Sequence, residues 1–301
     1  MVSVLITGGA GFIGSHVADK LISKGYNVVV IDNLSSGCAK NLKENERLKS
    51  YWLDIEKDDI EKVFESESPD FVIHLAAQTS VNMSMKNPEH DAEINIIASI
   101  NLLNLCKKYN VKKFITASTA AVYGIPKYLP IDENHTTEPV SPYGLSKLTM
   151  ENYIRLSCVP YVIFRFSNAY GPRQLSTRES GVVAIFNDAM KENKDINIYG
   201  DGTQIRDFVY VEDVSDICVK SIETDVKNEI INFSTNTGIS LNELFNEMKK
   251  LYNYKKLPNY LDERPGDIKN SILSNKKAEL MFKNIKYTTL SDGLRKLIQA
   301  S

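Results

Sequence analysis

The chain is short of cysteine, arginine and long apolar runs, and each shortage narrows the reading. Its four cysteines, Cys38, Cys106, Cys158 and Cys218, lie far apart and form no Cys-x-x-Cys pair. That argues against a disulfide framework or a zinc site and predicts a reducing, cytoplasmic compartment. The four histidines, His16, His74, His90 and His135, are scattered too, so no metal is expected. No apolar stretch approaches the ~20 residues that span a bilayer, so no membrane is expected. The opening run Met1–Ile6 lacks a charged segment and a cleavage site, and predicts a strand rather than a signal peptide. Net charge is −2, from 36 basic and 38 acidic residues, which offers no basic excess for nucleic acid. Eight arginines stand against twenty-eight lysines, so a site needing the planar guanidinium fork is easy to spot.

What is present is ordinary for a globular protein. The 301 residues are 43% hydrophobic and 25% charged, enough for one large domain or two lobes with a core that needs no staples. There are no internal repeats and no low-complexity segments.

Val2–Ile6 predicts a buried strand running into Thr7-Gly8-Gly9-Ala10-Gly11-Phe12-Ile13-Gly14, with a helix from Ser15 to about Lys24. Strand, glycine loop and helix are the context that makes such a motif credible. Gly8 permits the turn, Gly11 lets backbone approach a pyrophosphate at the helix N-terminus, and Gly14 allows close helix–strand packing. A second strand, Asn27–Ile31, ends in Asp32. An acidic residue there accepts from a ribose 2′-hydroxyl and repels a 2′-phosphate, which favours NAD over NADP. The polar loop Asn33-Leu34-Ser35-Ser36-Gly37 follows, placed to wrap the adenosine ribose.

Further strands are expected at Leu48–Leu53, Pro69–Leu75, Val111–Thr116 and Tyr161–Phe166. Trp52 and His74 are expected in the core. Leu75, Ala76, Ala77 and Gln78 provide small residues where a cofactor can lie near backbone, with Asn95 facing the same region. Pro88–Tyr109 predicts one long helix. Ser118 and Thr119 end a strand, where they either hydrogen-bond a substrate hydroxyl or cap the strand. Five strand–helix alternations predict an α/β fold, a Rossmann-type doubly wound parallel sheet. Residues 1–167 are the expected cofactor-binding domain. After Gly171 the pattern changes to a smaller C-terminal α/β substrate lobe, residues 168–206 and 236–301, with about 207–235 returning to the main sheet.

Tyr143 and Lys147 lie four residues apart, one face of a helix, behind Ser141 as N-cap and Pro142 at the first helical position. A free tyrosine has a pKa of roughly 10. A nearby ammonium and the positive helix end both favour the phenolate, which can take a proton from an alcohol. Alone, the spacing fits a solvated helix face better. The rest of the chain turns it towards catalysis.

These landmarks together resemble the extended short-chain dehydrogenase/reductase family, and within it the NAD-dependent UDP-glucose 4-epimerases. The resemblance covers essentially the whole chain. It rests on Thr7–Gly14, Asp32-Asn33, Asp54-Ile55, Leu75-Ala76-Ala77, Thr119 with Tyr123-Gly124, Tyr143 with Lys147, Asn168 with Tyr170–Arg173, Tyr199–Gly202, Arg206-Asp207-Phe208 and Arg264–Asp267.

The resemblance implies a set of roles. Gly8, Gly11, Phe12, Ile13 and Gly14 would hold the NAD pyrophosphate, Asp32 the ribose, and Asp54 and Ile55 the adenine. Lys147 would bind the nicotinamide ribose and lower the pKa of Tyr143, while Thr119 orients the sugar 4-hydroxyl. Asn168, Arg206, Arg264 and Asp267 would line a nucleotide-diphosphate site, with Tyr199 at the base and Ser80, Val182 and Val183 beside the substrate. Ser271 matches the position facing the sugar 2-substituent and is small enough for an N-acetyl group.

The reaction implied is C4 epimerisation of a UDP-hexose through a 4-keto sugar, by a homodimer joined through the Pro88–Tyr109 and Pro142–Cys158 helices. Related dehydratases and decarboxylases carry acids just after the Thr, where this chain has Ala120 and Ala121. UDP-glucuronate 4-epimerisation and another nucleotide-sugar oxidoreductase stand as alternatives. A non-catalytic NAD-binding regulator is the reading from a different class, and it would typically have lost Tyr143 or Lys147.

Overall fold

The structure is a computed structural model that describes residues 2–176, 181–263 and 268–300. In chain order its first half comprises β1 (Ser3–Thr7), α1 (Phe12–Ser23), β2 (Asn27–Ile31), β3 (Leu48–Tyr51), α2 (Glu61–Glu67), β4 (Phe71–His74), α3 (Val81–Lys86), α4 (Pro88–Ala92), α5 (Ala98–Lys108), β5 (Lys113–Thr119), α6 (Pro142–Leu156) and β6 (Tyr161–Phe166). The second half comprises β7 (Asn168–Tyr170), α7 (Val182–Lys191), β8 (Asn197–Tyr199), β9 (Ile205–Tyr210), α8 (Val211–Ile222), β10 (Glu229–Phe233), β11 (Gly238–Ser240), α9 (Leu241–Tyr252), β12 (Asn259–Leu261), β13 (Asn270–Ser271), α10 (Lys276–Met281) and α11 (Leu290–Ala300).

A seven-stranded sheet runs in the order β10-β6-β5-β4-β1-β2-β3, with every pairing parallel. Successive side chains of a strand face opposite ways. Val4, Ile6, Val28 and Val30 therefore enter one core, beneath α1 and α8. Leu5, Val29 and Ile31 enter the other, with Ala98 and Leu102 of α5 and Met150 and Ile154 of α6. Burial on both faces explains why these strands are continuous apolar runs. Each such side chain contributes about 1.5–3 kcal/mol on full burial. Strand order reverses between β1 and β4, which opens a crevice at the carboxyl ends of the strands.

β10 lies parallel to β6, so the chain does return to the main sheet after its excursion. The excursion builds a smaller sheet of β11, β9, β13 and β7, and a β12–β8 pair. Their own core includes Phe186, Phe245, Leu244 and Leu294, from α7, α9 and α11. β9 passes directly into α8, so one continuous segment ties the lobe to the main sheet.

Two sequence expectations need correction. Pro88–Tyr109 is not one α-helix: a π-helical turn, Glu93–Ile97, separates α4 from α5. The turn carries Asn95, only 1% exposed, whose amide bonds other segments. A π turn of this kind is frequent at functional sites. Trp52 is not core but 47% exposed. It follows β3, the edge strand, where one flank has no neighbouring strand to cover it.

Candidate active site

The glycine loop is a cradle that side chains would fill. Gly8 has φ +69°, and a Cβ there would lie 2.6 Å from the backbone nitrogen of Ala76. A Cβ on Gly14 would lie 2.1 Å from the carbonyl oxygen of Gly8. Gly11 is the N-cap of α1 and no side chain caps that end, leaving the backbone around Phe12 and Ile13 for an anion. Asp32, at the end of β2, is 7% exposed. Its Oδ2 accepts from the Ala10 nitrogen at 2.9 Å and its Oδ1 from the Leu34 nitrogen at 2.8 Å. The same carboxylate that would meet a ribose therefore ties two loops together, and a Cβ on Gly37 would crowd it at 2.7 Å. Asn33 donates to Asp54 Oδ2 at 3.0 Å and accepts from the Ser35 nitrogen, while Ile55 is buried and Ser36 exposed. This donor set and shape fit a dinucleotide.

The wall beside the cradle is cross-braced. Leu75 donates its N–H to Thr7 O, and the Ala76 nitrogen reaches Thr7 Oγ1. His74 lies in the core as expected, between Thr7 Oγ1 at 2.7 Å and Ser99 Oγ at 2.9 Å. Burial and the Lys147 charge push its pKa down to about 3, so it stays neutral. Ala77 leads into Gln78, whose N–H donates to Asn95 Oδ1 at 3.0 Å. Ser80 caps α3 through the Met83 nitrogen. Asn95 and Ser80 thus hold protein segments together.

The predicted start of α6 is borne out: Ser141 is its N-cap, accepting from the Gly144 nitrogen at 3.1 Å, with Pro142 next. Ser84, which the sequence did not single out, accepts from the Tyr143 nitrogen at 3.0 Å and fixes that turn to α3. The Tyr143 side chain lies beside Thr119 at the end of β5, whose Oγ1 accepts from the Ala121 nitrogen at 3.1 Å. Lys147 is 4% exposed, with Nζ 3.8 Å from Met150 Sδ.

The electrostatics correct the expectation for Tyr143. Burial pushes its pKa up to about 12; the nearby Thr119 hydroxyl pulls it down, and the Asp91 charge pushes it up. Burial likewise lowers Lys147 to about 8, against the opposing pull of Glu151 and Asp91. In the protein alone, burial therefore holds Tyr143 above its ordinary value rather than below it.

Ser118 also differs from its expected place. It points into the protein and donates to Glu151, whose carboxylate is clamped by Arg165. Only Thr119 remains at the crevice. Glu151, four residues beyond Lys147, was within reach of the spacing rule that picked out Tyr143.

On the lobe side, Asn168 opens β7 directly after β6 and is exposed. Arg206 on β9 stands opposite Ser271 on β13, its Nη1 donating to Ile205 O at 2.9 Å. Tyr199 ends β8, its carbonyl accepting from Gln204 at 2.7 Å. Val183 is buried in the lobe core, with Val182 at its edge. Arg264 and Asp267 lie outside the described residues. Among the described residues there is no cluster fit to hold a metal ion, and no helix is long and apolar enough to cross a membrane.

Known proteins share this fold. A putative UDP-glucose 4-epimerase of Methanocaldococcus jannaschii is 43% identical over 281 residues, spanning 92% of this chain and 91% of that one. The UDP-glucose 4-epimerase of Thermotoga maritima, solved with UDP-glucose, superposes with a TM-score of 0.94 at 41% identity, covering 99% of this chain and 98% of the other. A UDP-N-acetylglucosamine 4-epimerase of Methanobrevibacter ruminantium, solved with UDP-N-acetylmuramic acid, also gives 0.94, at 35% identity over 99% of this chain and 97% of the other. Residues 4–234 match the model of one family, and the chain belongs to it: the NAD dependent epimerase/dehydratase family.

Proposed function

We propose that the protein interconverts a UDP-hexose and its C4 epimer, with Tyr143 as general base. The observation that carries this reading is the placement of Tyr143 beside Thr119 at a strand end, with Lys147 one turn deeper and the glycine cradle at the end of β1, two strands away. Gly8, Gly11 and Gly14 would hold the NAD pyrophosphate, Asp32 its ribose, and Lys147 the nicotinamide ribose. Bound NAD supplies the oxidant and reductant for C4, and its cationic ring favours the phenolate.

The chain's own residues do the rest. Thr119 orients the sugar O4, and Tyr143 takes its proton. Arg206 anchors the diphosphate while the 4-keto sugar turns, and Tyr143 returns the proton after the opposite face is presented. Ala120 and Ala121 offer no acid for elimination or decarboxylation. Ser271, small and beside Arg206, supports acceptance of both the unmodified and N-acetylated hexose pairs.

The division into a cofactor part, 1–167 with 207–235, and a substrate lobe belongs to this reading. So does a cytoplasmic homodimer. Ile97, Tyr153 and Leu156 are exposed on the α5–α6 side at 52%, 45% and 79%, an apolar face suited to a second copy, and all four cysteines are free.

The test is proton NMR of UDP-glucose and UDP-N-acetylglucosamine, each incubated with purified protein and no added NAD. A new galacto-configured anomeric signal is expected, and the faster sugar names the substrate. No conversion of either, with NAD supplied, would overturn the reading.

A further inference from the structure

Lys147 sits among two acids of different standing. Glu151, on the same helix, is paired by Arg165 of β6 through two hydrogen bonds, so its charge is largely met. Asp91, on α4, has no such partner. It is 1% exposed. Its Oδ1 accepts from Gln78 Nε2 at 2.6 Å and Asn95 Nδ2 at 3.1 Å, both neutral amides. Its Oδ2 is enclosed without a hydrogen-bond partner. A buried carboxylate calls for an opposite charge nearby.

The geometry leads to one. The Asn95 amide that bonds Asp91 also donates to Ser146 Oγ at 3.1 Å. Ser146 in turn donates to the Tyr143 carbonyl at 3.0 Å, and it immediately precedes Lys147. α4 packs directly on α6. The other titratable groups coupled to Lys147 are Glu151 on its own helix and His74 on β4, which is neutral, with Tyr143 one turn earlier on α6. Lys147 is a cation that the Asp91 charge reaches, raising its pKa against the effect of burial.

We propose that Asp91 is the counter-charge of Lys147, a positioning carboxylate that keeps the buried amine protonated through turnover. The proposal rests on the reading of Tyr143 and Lys147 as the working pair. It gives the π-helical turn a purpose, because Asn95 on that turn joins the carboxylate to the helix of the pair.

Asp91→Asn removes the charge and preserves the shape. Without it both Lys147 and Tyr143 titrate lower, so the whole kcat–pH profile moves towards acid by about one unit. Asp91→Glu is expected to restore the wild-type position. A slower enzyme with an unmoved profile overturns the proposal, because a merely structural residue changes amplitude and not position.

A second measurement needs no turnover. In wild-type protein labelled with ¹³C at lysine Cε and aspartate Cγ, Lys147 is assigned with Lys147→Arg and Asp91 with Asp91→Asn. The Asp91 carboxyl carbon should then show a step at the Lys147 midpoint, and absence of that step overturns the proposal. If Tyr143→Phe left turnover intact, the catalytic reading would fail while this titration still judged Asp91. If Tyr143→Phe is inactive and the step is missing, Asp91 alone is misread.

Discussion

Arg165 grips Glu151 from two sides, Nε to Oε1 at 2.9 Å and Nη2 to Oε2 at 2.6 Å, with side chains 6% and 1% exposed. The guanidinium also lies 4.7 Å from the centre of the Tyr123 ring. This clamp fastens α6, and with it Tyr143 and Lys147, to the main sheet. Arg165→Met leaves a buried carboxylate unpaired and should cost about 3–5 kcal/mol. Urea unfolding measures it, and a loss under about 1 kcal/mol would contradict the clamp.

The cofactor cradle gives a sharper steric prediction. A Cβ on Gly14 meets the Gly8 carbonyl at 2.1 Å, backbone against backbone, so neither side can swing away. Gly14→Ala should cost about 1–3 kcal/mol and strip bound NAD from the purified protein. Cofactor released by acid and read at 260 nm reports this. Full NAD content in the variant would argue against the cradle.

Asp207 predicts a pH dependence of stability. It is 0% exposed, its Oδ1 accepts from the Thr235 nitrogen and hydroxyl, and its Oδ2 has no partner. Burial raises its pKa from 3.8 to about 6, against those hydrogen bonds. A raised carboxyl pKa means the folded state holds its proton longer than the unfolded state. Its stabilising contribution is complete below about pH 4 and is lost as pH rises through about 6. The shift corresponds to about 3 kcal/mol. Asp207→Asn lacks this dependence, so the stability of the variant relative to wild type should climb by that order between pH 4 and 7. A constant difference in paired denaturation series would refute it.

Much of the site was legible because its signals are local. Gly8, Gly11 and Gly14 mark a turn that only small residues can make, and Ser141-Pro142 marks a helix start. The unbroken apolar run Val4, Leu5 and Ile6 marks a strand buried on both faces. What escaped depends on residues distant in the chain. Ser118 was placed at the crevice, yet Glu151, 33 positions away, draws its hydroxyl inwards. The Pro88–Tyr109 pattern carried no mark of the π turn, which exists because Asn95 must reach Gln78 and Ser146. Trp52 looked like core by residue type, and its exposure follows from β3 being an edge strand, a fact of topology. The direction of the Tyr143 pKa was misjudged because the sequence shows the neighbouring charges and not the depth of burial.

The central claim is that Tyr143 moves the proton of the sugar hydroxyl. The most direct measurement is the initial rate of Tyr143→Phe beside wild type, on whichever UDP-sugar turns over, with bound NAD quantified in both. Loss of general base catalysis should lower kcat at least about a hundredfold, with NAD content unchanged. A variant within a few-fold of wild type would contradict the account.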